Sequence, residues 1–375
     1  MRILFISDAA YPFVTGGVEA LESKYAIELS KHHKVDFLCI QWDGMKKDFY
    51  RGNIHYSTMF PSTINKFYHK HHRSIRMSAK YSIYNFLIFS KSYDVIIANA
   101  FPFINLPILR LYCILHRCKL IIDVAEVWKK DYWIEYIGKF KGRLGFSYMK
   151  WALSMGDCYI SNSSETSSRL IEIGLNNNKI TEFAPSVNIT NISKIKFGGY
   201  KQDIIFSGRL IKEKNVDMLI DLCVLVKKDM PDLKVEIIGM GYEKDKLEAR
   251  VARLGLSENI IIRDFYSEKK DLYSDIKDSK VMVNMSEREG LGIITIESLS
   301  LGTPVVLPDY SPIPKEIKDL CIVSSVNDMK EKLKDILSNP DSYRFSDFQS
   351  LKKFDEALIN STMDKIFNEL ELAGK

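Results

Sequence analysis

Short apolar runs alternate with amphipathic stretches along the first half of the chain. The apolar runs occupy residues 2–7, 34–40, 94–100, 119–127 and 157–164. The stretches between them carry apolar residues at helical spacing, as in Leu21, Tyr25 and Leu29. Because apolar strands that alternate with helices are typical of a parallel sheet, this half is predicted to be a doubly wound α/β domain.

The same alternation restarts after residues 190–202, a polar, glycine-bearing stretch that is predicted to be a linker. The strand pattern DIIFS then precedes a helix with Met218, Leu219 and Leu222 on its apolar side. A chain of 375 residues with 46% hydrophobic and 27% charged positions has the length and composition of a globular protein with two domains. The predicted domains span residues 1–195 and 196–345, and a helical tail is predicted over 346–375.

Residues 286–306, SEREGLGIITIESLSLGTPVV, predict a loop that runs into a helix. Gly290 and Gly292 let the backbone approach a ligand, and the free amides at the start of the helix can bind a phosphate or a sugar hydroxyl. Glu297 falls on the second helical turn, where its carboxylate could accept hydrogen bonds from a diol such as a ribose. The alternative is an ordinary strand–loop–helix–strand unit in which Glu289 and Glu297 are solvated.

This stretch resembles the donor-site signature of retaining GT-B glycosyltransferases of family 4, the glycosyl transferases group 1 related to glycogen synthases. There, two glutamates separated by seven residues enclose a Gly-x-Gly turn that leads to Gly-x-Pro-Val, which Glu289 to Glu297 and Gly302 to Val305 match. The resemblance implies that Glu289 and the turn hold the transferred sugar and the diphosphate, and that Glu297 holds the nucleotide ribose. The turn residues are Gly290, Leu291, Gly292 and Ile293.

The resemblance also implies the fold and the domain roles. It implies two Rossmann-like doubly wound domains that face a central cleft, with the acceptor bound by the first domain and the nucleotide-sugar by the second. The tail over 346–375 would cross back to the first domain. No Asp-x-Asp occurs in the sequence, so the ligands of the metal clamp used by other glycosyltransferase folds are missing, and no metal is predicted.

Gly208, Arg209 and Lys214 lie between the strand DIIFS and the helix that follows it. Two cations near a glycine and a helix start can clamp a diphosphate, Arg through its planar fork and Lys as a point charge. Taken alone, basic loop residues are usually solvated. The motif resembles the family's Gly-Arg-Leu with a lysine five residues after the arginine, which implies catalytic roles for Arg209 and Lys214 together with Glu289.

Weaker motifs receive roles only from the resemblance. Gly16 and Gly17 precede a helix and correspond to a Gly-Gly that faces the donor diphosphate and the acceptor, although most such pairs merely form a turn. Arg263 and Phe265 follow a strand at which relatives hold the base.

Asp123 and Glu126 end another predicted strand, and ligands bind at strand carboxyl ends in such sheets. Many relatives carry His-Asp or Arg-Asp here, whereas this chain has Ala125 followed by Glu126. Asp123 and Glu126 are therefore the candidates for holding an acceptor hydroxyl. Helix packing or capping is the alternative for both.

The positive charge of the chain is concentrated in its first 200 residues, which hold 26 Lys and Arg against 16 Asp and Glu. The segment 64–92 combines such cations with large apolar side chains. This pattern favours contact with an anionic membrane surface. A solvated helical face and a nucleic-acid patch are the alternatives, and nucleic acid is the weaker of the two.

Cysteine usage and the amino terminus predict the compartment. The six cysteines are scattered without a C-x-x-C pair, which favours reduced thiols in the cytoplasm. The opening MRILFISD is too short and too acidic for a signal peptide, and no apolar stretch of about eighteen residues occurs. We expect a cytoplasmic protein peripherally bound to the inner face of the cell membrane.

The predicted activity is transfer of a hexose from a UDP- or GDP-sugar to a hydroxyl of a glycan or polyprenyl-linked glycan, with retention at the anomeric carbon. Envelope polysaccharide synthesis is the expected setting, and no separate cofactor is predicted. Two alternatives stay open: a nucleotide-sugar epimerase with the same architecture, and a non-catalytic carbohydrate- or membrane-binding protein.

Overall fold

A computed structural model describes residues 1–14, 17–63, 68–69, 72–73, 75–184 and 187–372. The chain forms two compact units: unit 1 consists of Met1–Pro185 and Ala357–Lys375, and unit 2 consists of Ser186–Glu356. The sequence prediction placed the boundary after residue 195 and began the tail at 346. The structure groups 186–195 and 346–356 with unit 2.

Unit 1 is an α/β unit. Its described strands are β1 (Arg2–Ile6), β2 (Lys34–Gln41), β3 (Asp48–Arg51), β4 (Ile54–Pro61), β5 (Tyr68–His69), β6 (His72–Arg73), β7 (Val95–Asn99), β8 (Lys119–Val124), β9 (Cys158–Ser161) and β10 (Ile180–Glu182). Its described helices are α1 (Gly17–Leu29), α2 (Ile75–Tyr84), α3 (Leu106–His116), α4 (Lys130–Ile137), α5 (Lys139–Leu153), α6 (Ser164–Glu172) and, from the carboxyl-terminal segment, the last helix of the chain (Ile359–Leu372).

The main sheet of unit 1 has the strand order β10-β9-β8-β7-β1-β2-β4-β3. Its neighbouring strands are parallel except β3, which runs antiparallel to β4. The order reverses between β1 and β7, as in a doubly wound sheet. Strand β4 was not predicted, because the polar residues of IHYSTMFP interrupt the apolar run.

Each face of this sheet carries its own core. Successive side chains of a strand point to opposite faces, so Ile3 and Phe5 lie in one core and Leu4 and Ile6 in the other. Helix α1 and the last helix of the chain cover the face of Phe5. Helices α3 and α5 cover the face of Leu4.

Unit 2 repeats this architecture. Its described strands are β11 (Gln202–Ser207), β12 (Val235–Ile238), β13 (Ile260–Arg263), β14 (Ser279–Val283), β15 (Val305–Pro308) and β16 (Ile322–Ser324). Its described helices are α7 (Ile189–Ile192), α8 (Val216–Lys227), α9 (Lys244–Arg253), α10 (Lys269–Lys277), α11 (Ile293–Ser300), α12 (Lys315–Lys318), α13 (Met329–Ser338), α14 (Pro340–Tyr343) and α15 (Phe348–Leu351), so the last helix, Ile359–Leu372, is α16.

The sheet of unit 2 is parallel throughout, in the order β13-β12-β11-β14-β15-β16. The chain winds outward from β11 to β13 and then crosses back to β14, so the order reverses between β11 and β14. The predicted α/β fold class with two Rossmann-like units is confirmed. In the described part of the chain, no helix is both long enough and apolar enough to cross a bilayer.

Candidate donor site in unit 2

The predicted donor residues of unit 2 all follow the carboxyl ends of parallel strands. Gly208, Arg209 and Lys214 follow β11, Arg263 ends β13, and residues 289–293 follow β14. Strands β11 and β14 are the neighbours between which the strand order reverses. In open α/β sheets, ligands bind in the crevice formed at this reversal.

Lys214 and Glu289 form a salt bridge across the reversal. Lys214 closes a 3-10 turn, Lys212–Lys214, and Glu289 lies in the loop after β14. The two loops are also joined by the backbone, because the amide of Glu287 donates to the carbonyl oxygen of Glu213 at 3.1 Å. Both charged groups are largely buried, so the low local dielectric strengthens their attraction.

The Gly-Leu-Gly turn leads directly into α11. Gly292 caps this helix with a left-handed φ of +77°, a conformation that glycine adopts without strain. A Cβ at this position would lie 3.1 Å from Cδ1 of Ile313, so the turn is also tightly packed. Leu291 is buried and anchors the turn, and Ile293 begins the helix. Glycine has no side chain that could cap the helix, so the amides of Ile293 and Ile294 are available to an anion, whereas that of Thr295 donates to the carbonyl oxygen of Gly292 at 2.9 Å.

Glu297 lies on the second turn of α11, as predicted, and its side chain is only 5% exposed. Two side chains of α10 hold it: the Tyr273 hydroxyl donates to Oε1 at 2.6 Å, and Lys269 Nζ lies 2.9 Å from the same oxygen. No hydrogen bond from the described residues reaches Oε2. The carboxylate is therefore fixed in direction by one oxygen, and its second oxygen can accept from a ligand.

No sequence pattern indicates that Lys269 and Tyr273 belong to the site. They are four residues apart on α10, a spacing that is equally usual for a solvated helix surface. Their role depends on the packing of α10 against α11, which no local pattern records.

The loop after β11 is held by the loop after β12. The amide of Gly208 donates to the carbonyl oxygen of Ile238 at 3.0 Å, and the amide of Leu210 donates to that of Met240 at 2.8 Å. A Cβ at Gly239 would lie 1.9 Å from the carbonyl oxygen of Gly208, so this approach requires glycine. Arg209, between the two anchored positions, is exposed and forms no salt bridge with a described residue.

Arg263 and Phe265 lie at the end of β13 and in the loop beyond it. Arg263 Nε lies 2.8 Å from Oε1 of Glu236, a buried carboxylate of β12. Burial and the nearby Asp275 raise the pKa of Glu236, and Arg263 opposes that rise. Phe265, two residues after Arg263, is exposed, so its aromatic ring is available for stacking.

Residues 188–352 match the family model described as Glycosyl transferases group 1. The match spans nearly all of unit 2, which therefore resembles a group 1 glycosyl transferase domain. The match covers the whole arrangement described above, from the β11 loop to α11. The chain spans less than half the length of the curated relatives it matches.

Known proteins resemble this chain in sequence or in fold. A poly(ribitol-phosphate) alpha-N-acetylglucosaminyltransferase of Staphylococcus aureus is 28% identical over 137 residues, which cover 35% of this chain and 27% of that protein. The apo form of the lipopolysaccharide outer core galactosyltransferase WaaB matches 98% of this chain and 99% of its own, with a TM-score of 0.67 and 18% identity. Anabaena Alr3699/HepE in complex with UDP-glucose matches 98% of this chain and 100% of its own, with a TM-score of 0.67 and 15% identity. At these identities the two structures show the fold, which is the GT-B fold.

In unit 1, Asp123 lies near a second buried acid. Asp123 is 2% exposed, and Glu22 of α1 is equally buried. Asn99 Nδ2 donates to Glu22 Oε1 at 2.8 Å, whereas Glu22 Oε2 and Asp123 Oδ2 have no partner among the described residues. Burial raises the pKa of Asp123 to about 7, and burial together with the Asp123 carboxyl raises the pKa of Glu22 well above its usual value.

Glu126, the second predicted acceptor residue, lies in the loop after β8 and is half-buried. The sequence singled out Asp123 and Glu126 but missed Glu22. Glu22 interrupts the apolar spacing of α1, so the sequence pattern predicts a solvated side chain. Its burial results from the packing of α1 on the sheet.

The remaining predicted residues are the glycine pair near the amino terminus and the predicted membrane segment 64–92. Gly16 is outside the described residues, and Gly17 begins α1. Most of residues 64–75 are also outside the described part or have undescribed side chains. In the rest of the predicted membrane segment, Tyr81 and Ile88 are buried in the core of unit 1, whereas Phe86 and Leu87 are exposed.

Proposed function

We propose that this chain is a retaining glycosyltransferase of family 4 that moves a hexose from a UDP- or GDP-sugar to a hydroxyl. The observation that carries the proposal is the Lys214–Glu289 pair, which lies at the strand reversal of unit 2 and beside the free amides of α11. The HepE structure, which holds UDP-glucose in the same fold, supports a nucleotide-sugar as the donor.

The donor would be held from its diphosphate to its base by unit 2. Arg209, Lys214 and the amides that open α11 bind the diphosphate, while Glu289 contacts the transferred sugar. Glu297 accepts hydrogen bonds from the ribose diol through Oε2, and Tyr273 fixes its orientation.

Two further groups complete this donor site. Phe265 lies against the base, and Arg263 contributes a positive charge next to it. For Gly16 and Gly17, a role in binding the diphosphate rests on the resemblance to the family alone.

The reaction exchanges one bond at the anomeric carbon for another. The bond between this carbon and the phosphate oxygen breaks, and its electron pair leaves with the diphosphate. The acceptor oxygen bonds to the same face of the carbon, and its proton passes to the leaving phosphate oxygen. Arg209, Lys214 and the helix amides stabilise the negative charge that develops on the diphosphate, and one such donor typically contributes about 10²- to 10³-fold in rate.

We place the acceptor hydroxyl near Glu126 and Asp123. Glu126 is the better situated of the two, because Asp123 is almost completely buried. A glycan or polyprenyl-linked glycan of an envelope polysaccharide is the proposed acceptor class. The poly(ribitol-phosphate) and the lipopolysaccharide outer core named for two similar proteins support it. The free thiols of all six cysteines support a cytoplasmic location.

The test is an incubation with UDP- and GDP-hexoses and a panel of glycan and lipid-linked acceptors, followed by NMR of the product. The proposal predicts that one donor is consumed only when an acceptor is present, and that the new linkage keeps the donor's anomeric configuration. Inversion at this carbon would refute retention. Donor turnover without an acceptor would instead favour the epimerase alternative.

A further inference from the structure

Helix α5 presents an apolar stripe to solvent. Phe140, Leu144 and Trp151 are 76%, 57% and 52% exposed, and Tyr148 lies between them with its ring partly exposed. Successive members are four, four and three residues apart, so they lie on one side of the helix. A single exposed apolar side chain is normal, but a line of four along one helix marks an interaction surface.

The opposite side of α5 has its own partner. Met149, Ala152 and Leu153 are buried in the core that covers one face of the unit 1 sheet. The stripe therefore does not belong to that core, and it points away from it.

Helix α3 extends the apolar surface. Its Leu106, Leu109 and Tyr112 pack in the same core, whereas Leu111, Ile114 and Leu115 are exposed on the other side. Helix α3 contacts both α5 and the 3-10 turn Asn85–Ser90, from which Phe86 and Leu87 are exposed. We call the exposed side chains of α5, α3 and this turn the outer apolar face.

Positive charge borders this face, and the sequence segments that build it contain no acid. Residues 49–93, 95–122 and 136–156 lack Asp and Glu altogether. Lys139, Arg143 and Lys150 are four and seven residues apart and therefore follow one edge of the α5 stripe. Arg110 of α3 does not add to this charge, because it pairs with Asp157 at 2.9 Å.

We propose that the outer apolar face docks onto an anionic lipid bilayer. An amphipathic helix with large apolar residues on one side and Lys or Arg beside them binds in the plane of a membrane interface, and anionic headgroups attract its cations. Trp151 and Tyr148 have the amphipathic rings that are enriched at the headgroup level. The face is distinct from the predicted segment 64–92 as a whole. Among the described side chains of that segment, Phe86 and Leu87 belong to the face.

Charge argues against a second copy of the chain as the occupant. A twofold interface would place the same basic edge on both partners, so that like charges would meet around the apolar centre. It also argues against a nucleic acid, because such interfaces are polar and the centre of this face is apolar. The inference rests on this surface alone and does not depend on the proposed reaction.

The test is flotation of the full chain with vesicles of phosphatidylcholine, with and without phosphatidylglycerol. We expect flotation with the anionic vesicles, little with the neutral ones, and a loss of binding at high salt. Leu144→Glu should reduce the bound fraction at least tenfold. The matched control is Leu225→Glu, at an exposed position of α8 in unit 2, which should float like the wild type.

A second readout locates the contact and guards against misfolding. Lipids brominated on their acyl chains should quench the tryptophan emission of the wild type much more than that of Trp151→Phe, because Trp42 is buried and Trp128 and Trp133 are packed against the core. Thermal midpoints of the variants should equal that of the wild type.

Three results would overturn the proposal: no flotation with anionic vesicles, equal flotation of Leu144→Glu, or equal quenching of Trp151→Phe. A dimer in size-exclusion chromatography that Leu144→Glu dissociates, without any flotation, would assign the face to a second copy instead.

Discussion

Lys214 and Glu289 form a salt bridge although 75 residues separate them in the chain. The strand order of unit 2 brings them together, because β11 and β14 are neighbours at its reversal. Each side chain is mostly buried, so each charge depends on the other for compensation.

Removing one partner of this pair should cost more than removing both charges. We expect Lys214→Ala to lower the free energy of unfolding by about 1–3 kcal/mol, since it leaves the Glu289 carboxylate without its cation. Lys214→Ala combined with Glu289→Gln should recover part of that loss. Differential scanning calorimetry of the single and double variants measures the coupling, and Lys212→Ala on the same turn is the control. If the losses in unfolding free energy from the two single substitutions simply add in the double variant, the ion pair contributes nothing to stability.

The assignment of Glu297 to the ribose predicts a dependence on the nucleotide hydroxyls. Glu297→Gln should weaken binding of the nucleoside diphosphate about tenfold, because a charge-assisted hydrogen bond is lost. Binding of the 2′,3′-dideoxy analogue should be unchanged, since it lacks the diol. Fluorescence or calorimetric titration measures both affinities, and Glu287→Gln in the loop before α11 is the control. An equal loss for the dideoxy analogue would remove Glu297 from the ribose site.

The contact of Gly239 with the carbonyl oxygen of Gly208 makes Gly239→Ala a test of the β11 loop. The added Cβ would lie 1.9 Å from a backbone oxygen, so the loop that carries Arg209 must move. We expect a loss of about 1–3 kcal/mol in unfolding free energy, as in other overpacked sites, and weaker diphosphate binding. Gly208→Ala should cost less, because its Cβ would meet only the ring of Phe206, at 3.2 Å. Equal stability of Gly239→Ala and wild type would contradict this account.

Burial of Asp123 predicts that unit 1 becomes less stable as the pH rises. The pKa of this carboxyl is raised to about 7, from an ordinary value of 3.8, so the folded state binds a proton that the unfolded chain releases. The contribution of Asp123 to the free energy of unfolding therefore falls as the pH rises from about 4 to about 7, and it levels off above that.

Asp123→Asn should shrink the difference between the thermal midpoints at pH 5 and pH 8 by several degrees. Tryptophan fluorescence reports on unit 1 specifically, because Trp42, Trp128, Trp133 and Trp151 all lie in it. The same pH dependence in the variant and the wild type would show that the pKa of Asp123 does not differ between the folded and unfolded states.

The strands and the donor loop could be predicted because their information is local. Continuous apolar runs mark strands that are buried on both faces, and the stretch from Glu289 to Glu297 carries its glycines, helix start and carboxylates within one segment. Strand β4, with polar residues in its apolar run, was missed for the same reason.

The partners in the site could not be predicted, because they depend on which elements lie side by side. Neither the Lys214–Glu289 pair nor the bond from Tyr273 to Glu297 follows from spacing along the chain. The outer apolar face is a similar case. Apolar residues all round α3 equally predict a fully buried helix, and only the structure shows that nothing in the described chain covers Ile114 and Leu115.

The most direct test of the central claim is calorimetric titration of the full chain with UDP, GDP and their hexose derivatives, for wild type, Arg209→Ala and Lys212→Ala. Arg209 forms no salt bridge with a described residue, so its removal should leave the thermal midpoint unchanged and affect only the ligand. We predict that one nucleotide binds the wild type and Lys212→Ala alike, and that Arg209→Ala weakens its Kd at least tenfold. If no nucleotide binds, or if Arg209→Ala binds as tightly as the wild type, the diphosphate site is not at the β11 loop and the proposed glycosyl transfer loses its support.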